Sequence, residues 1–199
     1  MLNPGGHFAL AAIFKSLARL IAVVEPYSSG VRGLDEIEVR GYREGDRDAC
    51  RRLWEELTVW HREIYDDPTI GGPEPGLHFD EHLAKAGPEH LLVAVAGDTV
   101  VGLVGYLVAE EEIEVEPLVV SRSHRSRGVG TMLLDAVVKR VEGSGIKFLT
   151  VRPVVRNKKA LEFFRSRGFD KVGRIELFVD YTGGNWKKDL RLFELDFGY

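Results

Sequence analysis

The sequence predicts an α/β fold, of the α+β kind, in which a mixed sheet of about seven strands carries helices on both faces. β-prone runs and amphipathic segments alternate along the 199 residues in the order β-α-α-β-β-β-α-β-α-β-β. The chain also has no internal repeat and no low-complexity tract, which argues against a solenoid or a disordered protein.

The predicted elements follow from local patterns. Ile37–Gly41 alternates apolar with charged residues, and Asp46 is placed to cap the helix that follows it. Gly97-Asp98-Thr99 joins two apolar runs into a hairpin. Gly168 ends the last helix. The predicted helices are 47–65, 79–85, 131–142 and 157–167, and the predicted strands are 37–41, 91–96, 100–108, 113–120, 147–151, 172–181 and 190–197.

Residues 1–34 are predicted to be a helical appendage and linker, and residues 35–199 the folded domain. Phe8–Val24 has apolar residues at helical spacing, and Lys15 and Arg19 interrupt it, so neither a membrane span nor a signal peptide is expected. The amphipathic helix is either packed on the domain or a contact in a homodimer.

Composition excludes several classes of protein. The 27 Lys and Arg against 31 Asp and Glu give a net charge of −4, which argues against a nucleic-acid binder and favours a small partner. Cys50 is the only cysteine, so no intrachain disulfide or Cys-based zinc cluster can form, and a cytoplasmic location is predicted. The histidines show no metal-ligand spacing, so no metal is expected.

The most informative segment is the loop between the fourth predicted strand and the helix after it. Basic residues lie there beside Gly128 and Gly130, which open the helix. Helix N-termini expose unpaired N–H groups and attract anions, so this junction suits a phosphate. Leu133 stands where a dinucleotide fingerprint needs a third glycine, and the Gly-Lys-Ser/Thr of a nucleotide P-loop is absent.

Two motifs carry a resemblance to a known family. Arg125-x-x-Gly128-x-Gly130 resembles the pyrophosphate loop of the GNAT superfamily of acyl-CoA-dependent N-acetyltransferases. Asn157-x-x-Ala160-x-x-Phe163-Phe164-x-x-x-Gly168-Phe169 resembles the segment downstream of its fifth strand. The resemblance covers about residues 36–181. It implies a mostly antiparallel sheet with a V-shaped splay between strands 4 and 5.

The resemblance implies acetyl-CoA as the acyl donor. The pyrophosphate would bind the backbone N–H groups of Arg125, Ser126, Arg127, Gly128, Val129, Gly130 and Thr131. The pantetheine would pair, as an added strand would, with the edge formed by Leu118, Val119 and Val120. Asn157 would either lie near the pantetheine or cap its helix.

Transfer to an amine needs a base more than an acid. Deprotonating a lysine-like amine at pH 7 costs about 4.6 kcal/mol, whereas expelling a thiolate costs about 2 kcal/mol. The candidates are Glu116 first and Glu114 second, with a solvated acidic strand end as the alternative for each. Pro117 favours either a sheet edge or a bulge, and a bulge would change the direction of its neighbour.

The family's usual acid, a tyrosine, is replaced by Phe164, so water or another phenol such as Tyr106 or Tyr181 would protonate the thiolate. Aromatic and acidic residues at the end of the first helix would suit a cationic amine, although a core and loop-capping role is the favoured interpretation of them. These residues are Trp60, His61, Tyr65, Asp66 and Asp67.

The sequence therefore predicts an N-acetyltransferase that acts on a primary amine of a small molecule or peptide in a ternary complex. No nucleic acid and no membrane is expected as a partner. The alternative, suggested by Phe164, is a non-catalytic module that binds or senses acyl-CoA.

Overall fold

The computed structural model describes residues 37–181 and 183–199. The predicted appendage and linker over residues 1–34 lie outside the described residues. Among the helices that are described, none combines the length and apolar character needed to cross a bilayer.

The main sheet has five strands in the spatial order of the chain. Neighbouring strands pair antiparallel except the last two, which are parallel. The strands are β1 (Ile37–Gly41), β2 (Leu91–Ala96), β3 (Thr99–Val108), β4 (Glu112–Val120) and β5 (Phe148–Thr150). The helices are α1 (Arg47–Tyr65), α2 (His78–Ala86), α3 (Val129–Val141) and α4 (Lys158–Ser166). The predicted mixed, mostly antiparallel sheet is confirmed.

Helices cover both faces of this sheet, as predicted. On one face, Leu133 and Val137 of α3 and Phe164 of α4 pack against alternate residues of the strands. On the other face, Cys50 of α1 and Phe79 of α2 pack against the intervening residues. We refer to these as the α3 face and the α1 face.

The start of α1 is fixed by an ion pair rather than by a side-chain cap. Asp46 holds the N-cap position, but its carboxylate makes no capping bond there. It accepts hydrogen bonds from the guanidinium of Arg40 at 2.7 and 2.9 Å and from the N–H of Arg43 at 2.8 Å. These bonds tie the helix start to β1, and the Arg40 bond holds the pKa of Asp46 below its usual value.

The predicted strand over residues 172–181 is wrong. These residues form no strand, and their apolar side chains are exposed, Val172 to 85 % and Tyr181 to 93 %. Alternating apolar residues form a strand only where another strand edge accepts their hydrogen bonds, and β5, the last strand of the main sheet, is three residues long.

The predicted single strand over residues 190–197 is also wrong. It is a separate hairpin of β6 (Leu190–Leu192) and β7 (Leu195–Phe197). Phe193 and Glu194 form its turn with φ of 49° and 70°. Two successive positive φ angles usually require Asn or Gly, so the residue types gave no sign of this turn.

A bulge in β4 divides its residues between the two faces. Val104 of β3 lies opposite Leu118 and Tyr106 lies opposite Val115, so Gly105 faces two residues, Glu116 and Pro117. The bulge predicted at Pro117 is therefore confirmed. Because of it, Val115 and Leu118 both pack on the α3 face although they are three residues apart.

We expect Gly105→Ala to destabilise the protein by about 1–3 kcal/mol, because overpacking cannot relax against backbone. A β-carbon there would lie 2.6 Å from the carbonyl oxygen of Glu116 and 2.6 Å from a methyl of Leu91. Gly41→Ala is the control, since a β-carbon at this strand glycine has no atom within 4 Å. Urea unfolding measures both, and equal losses would contradict the packing described at the bulge.

We expect the thiol of Cys50 to be unreactive in the folded protein. The residue is fully buried, and burial raises the pKa of its thiol to about 12. Ellman's reagent at pH 8 should therefore detect no thiol in the native protein and one equivalent in urea, because the thiolate is the reactive species. Rapid reaction of the native protein would show that the α1 face is open.

Candidate active site

The loop between β4 and α3 presents unpaired backbone N–H groups. Ser126 and Gly128 adopt positive φ angles of 60° and 83°, which turn the chain into the helix. The first helical hydrogen bond runs from the N–H of Met132 to the carbonyl of Gly128 at 3.0 Å. The amides of Val129, Gly130 and Thr131 consequently have no acceptor within the helix and lie at its positive end.

Space beside these amides is open. A β-carbon at Gly128 would have no atom within 4 Å, and one at Gly130 would meet only Phe163 and Leu118, at 3.6 and 3.7 Å. No side chain fills the loop at the two glycines, so the residues present fit a bound diphosphate.

Two acidic residues of α1 hold the first half of the loop. The carboxylate of Glu56 accepts hydrogen bonds from the hydroxyl of Ser121 at 3.2 Å and from the N–H of Arg122 at 2.8 Å. Glu63 pairs with the guanidinium of Arg122 at 2.5 Å. Neither glutamate is predicted from the sequence, because more than fifty residues separate each of them from the loop.

The cations predicted at the loop have different roles. Arg125 donates from Nε to the carbonyl of Val120 at 2.9 Å and lies 5.9 Å from the ring centroid of Trp60, so it braces the base of the loop. Arg127 is exposed. Arg167, which the sequence analysis missed, donates to the hydroxyl of Thr131 at 2.6 Å and adds positive charge beside the first turn of α3.

β4 has an open edge next to this loop. Its pairing with β5 covers only Glu112 to Glu114, and from Val115 to Val120 it pairs with β3 alone. The backbone of Leu118, Val119 and Val120 therefore has one unpaired side, where the predicted splay begins.

Asn157 caps α4, which is one of the two roles predicted for it. Its Oδ1 accepts a hydrogen bond from the N–H of Ala160 at 3.2 Å. A contact between Asn157 and the pantetheine stays a prediction.

The two candidate bases differ in environment. Glu114 is 8 % exposed, and burial raises the pKa of its carboxyl while the adjacent Arg152 opposes the rise. The side chain of Glu116 is 44 % exposed and lies 4.0 Å from the ammonium of Lys85 on α2. Lys85 lies near both carboxylates, and its charge lowers the pKa of Glu114 without cancelling the effect of burial.

The two phenols predicted as alternatives to the family's usual acid, Tyr106 and Tyr181, do not lie next to Glu114. Phe164 is buried, with ring centroids of Phe163 and Phe169 at 5.2 and 5.5 Å. Tyr106 packs on the α3 face, away from the face that Glu114 shares with α2, and Tyr181 is almost fully exposed. Neither alternative phenol lies beside the candidate base.

The aspartates at the end of α1 have the loop-capping roles favoured from the sequence, whereas the core position favoured for Trp60 and Tyr65 is wrong, because both are half-buried and lie outside the two core clusters. Asp66 ends the helix with a φ of 54°, and Asp67 accepts hydrogen bonds from the N–H and hydroxyl of Thr69 at 2.8 and 2.6 Å. The ring of Tyr65 lies 4.6 Å from the guanidinium of Arg156. Burial lowers the pKa of His61.

Within the ranges described, no group of three or more His, Cys, Asp and Glu side chains is arranged to hold a metal ion.

The fold is similar to several solved structures. A tetramutant of the BH1408 protein from Bacillus halodurans matches with a TM-score of 0.61 and 15 % identity, over 72 % of this chain and 99 % of that one. Aminoglycoside N-acetyltransferase AAC(6')-Iy in complex with CoA matches with a TM-score of 0.55 and 18 % identity, over 77 % and 99 %. Ard1 from Thermoplasma volcanium matches with a TM-score of 0.54 and 19 % identity, over 66 % and 81 %. At these identities the matches describe the fold alone.

Residues 48–169, more than half of the chain, match the family model described as the acetyltransferase (GNAT) family. This range contains all of α1 except Arg47, the open edge of β4, the loop that begins α3, and the candidate bases Glu114 and Glu116. The chain belongs to the GNAT family of acetyltransferases.

Proposed function

We propose that the protein moves the acetyl group of acetyl-CoA to a primary amine of a small molecule or peptide, by direct attack in a ternary complex. The observation that carries the proposal is that one strand, β4, has both a buried carboxylate and an open edge leading to unpaired helix amides. Membership of the GNAT family supports the use of acetyl-CoA. A cytoplasmic location and a homodimer contact stay predictions.

Acetyl-CoA supplies an activated thioester when it is bound. The backbone N–H groups from Arg125 to Thr131 would hold its diphosphate, with Arg127 and Arg167 adding positive charge. The open backbone of Leu118, Val119 and Val120 would pair with its pantetheine amides. Each of these contacts uses a group that the described fold leaves unpaired or exposed.

We propose Glu114 as the base that receives the proton of the amine, with Glu116 as the second candidate. Its burial supports this order, because a desolvated carboxylate has a higher pKa and accepts a proton more readily. Glu116 is closer to solvent, and the ammonium of Lys85 lies beside it and neutralises part of its charge. The departing thiolate would be protonated by water, since its expulsion costs only about 2 kcal/mol at pH 7.

The acceptor is proposed to be a small-molecule or peptide amine. The aminoglycoside acetyltransferase among the similar folds acts on a small molecule, which supports the first of these. The aromatic rings and carboxylates at the end of α1 serve the fold, so they do not by themselves identify a cation site.

The burial of Phe164 favours one alternative, a non-catalytic protein that binds or senses acyl-CoA. The two functions differ in thiol release. If acetyl-CoA raises the melting temperature but no amine in a broad panel releases CoA thiol, the alternative is correct.

Glu114→Gln should lower kcat for amine acetylation by about 10²–10⁴-fold while leaving the Kd for CoA unchanged, because a general base contributes that much. The assay follows free CoA thiol with and without amine, and calorimetry measures CoA binding. Glu111→Gln is the matched control, since Glu111 is an exposed glutamate that pairs with Lys147 just before β4. Full turnover by the Glu114 variant would exclude it as the base.

Glu56→Ala should raise the Kd for CoA by about 10- to 100-fold. The substitution removes two charge-assisted hydrogen bonds that order the loop, each worth about 1.5 kcal/mol or more. The loop of the variant must then become ordered when CoA binds, and the free energy of that ordering weakens the binding. Glu55→Ala is the control, because Glu55 is an exposed neighbour on the same helix. Calorimetric titration with CoA measures both, and an unchanged Kd in the Glu56 variant would show that the loop is ordered without α1.

A further inference from the structure

Arg152 joins the two strands where they separate. It lies two residues beyond the end of β5, and its guanidinium reaches across to β4. Nη1 contacts Oε2 of Glu114, and Nη2 donates to Oε1 of Glu112 at 3.2 Å. Glu112 and Glu114 are two residues apart on one strand and share a face, so a single planar guanidinium can hold both.

Burial is unequal across this contact. The side chain of Glu114 is 10 % exposed, whereas that of Arg152 is 54 % exposed. The guanidinium therefore lies on the solvent side of the buried carboxylate. The proposed base is held in place by a residue from outside its own strand.

The charges around Glu114 make Arg152 the main group that keeps it ionised. Burial and the like charges of Glu116 and Glu112 raise the pKa of Glu114, and Arg152 and Lys85 lower it, with the larger effect from Arg152. Without Arg152, the pKa of this buried carboxylate between two others would rise further, and a smaller fraction of it would be ionised and able to take a proton from an amine.

Glu112 gives the guanidinium a second partner during proton transfer. When the N–H bond of the amine breaks and an O–H bond forms on Glu114, the charge of that carboxyl changes from −1 to 0. Arg152 would then lose its counter-charge, at a cost that opposes protonation, if Glu112 did not still hold it at 3.2 Å. Because Arg152 contacts both Glu112 and Glu114, Glu114 can alternate between its two protonation states while Arg152 stays in place.

We propose that Arg152 is the positioning residue of Glu114: it keeps the carboxylate ionised and oriented toward the amine, and Glu112 retains the guanidinium after Glu114 is protonated. The inference rests on the proposed function, which makes Glu114 the base. The sequence analysis missed Arg152, since 38 residues separate it from Glu114 along the chain.

The pKa of Glu114 can be measured in two independent ways, one spectroscopic and one kinetic. Infrared difference spectra of the substrate-free protein, with Glu114→Gln to identify the carboxyl band, give the pKa of Glu114 without any need for activity. The acidic limb of the kcat/KM profile gives the same pKa from turnover.

Arg152→Met should raise both pKa values by about one unit or more, because an opposite charge at this range lowers a carboxyl pKa by about one to three units. Glu112→Gln should shift them in the opposite direction, since it removes a like charge. Arg174→Gln is the matched control: Arg174 approaches Glu112 at 3.9 Å and, in the described part of the chain, forms no ion pair with Glu114. Arg152→Gln provides the same test if the Met variant does not fold.

An unchanged infrared pKa of Glu114 in the Arg152 variants would overturn the inference. If the wild-type protein acetylates an amine in that case, the proposed acetyltransferase function still stands. If the infrared pKa rises in the Arg152 variants but the wild-type protein acetylates no amine, the effect of Arg152 on Glu114 is supported and the proposed function is contradicted. A raised pKa by both readouts supports the proposal in full.

Discussion

β4 and β5 part after three paired residues, and the arrangement of the candidate site depends on this separation. Up to Glu114 the backbone groups of β4 are satisfied on both sides, by β3 and by β5. Beyond that point one side of β4 is open, although its residues remain extended. An extended strand with an unpaired side is a surface to which another extended chain can hydrogen-bond. The parting also leaves Arg152, just past the end of β5, free to turn toward the glutamates of β4.

The bulge at Glu116 and Pro117 then decides which side chains face which layer. In a regular strand, Glu114, Glu116, Leu118 and Val120 would share one face. With the extra residue, Leu118 and Val120 pack on the α3 face, and Val119 packs on the α1 face. Glu114 stays on the face opposite Val115, next to α2 and its lysine. A one-residue irregularity therefore separates the carboxylate from the apolar side chains that follow it.

Electrostatics at the two ends of β4 have opposite signs. Near its start, three carboxylates on one strand are balanced by cations from other elements, chiefly Arg152 and Lys85. Beyond its end, the loop carries basic residues, the first of which, Arg122, contacts Glu56 and Glu63 of α1. The positive end of α3 therefore lies beyond one end of β4, and the carboxylates lie toward the other.

The sequence by itself determined what depends on short stretches of chain. The helices, the hairpin of β2 and β3, the glycine loop that opens α3 at Gly128 and Gly130, and the irregularity at Pro117 all follow from neighbouring residues, because spacing, turn residues and helix ends are local. Only the tertiary structure shows that residues 172–181 form no strand, because a strand needs the edge of another strand to pair with. It alone distinguished Glu114 from Glu116, and it alone brought Glu56, Arg152 and Arg167 to the site. Burial, ion pairs and strand partners arise between residues that are distant along the chain, and the pattern of one segment does not contain them.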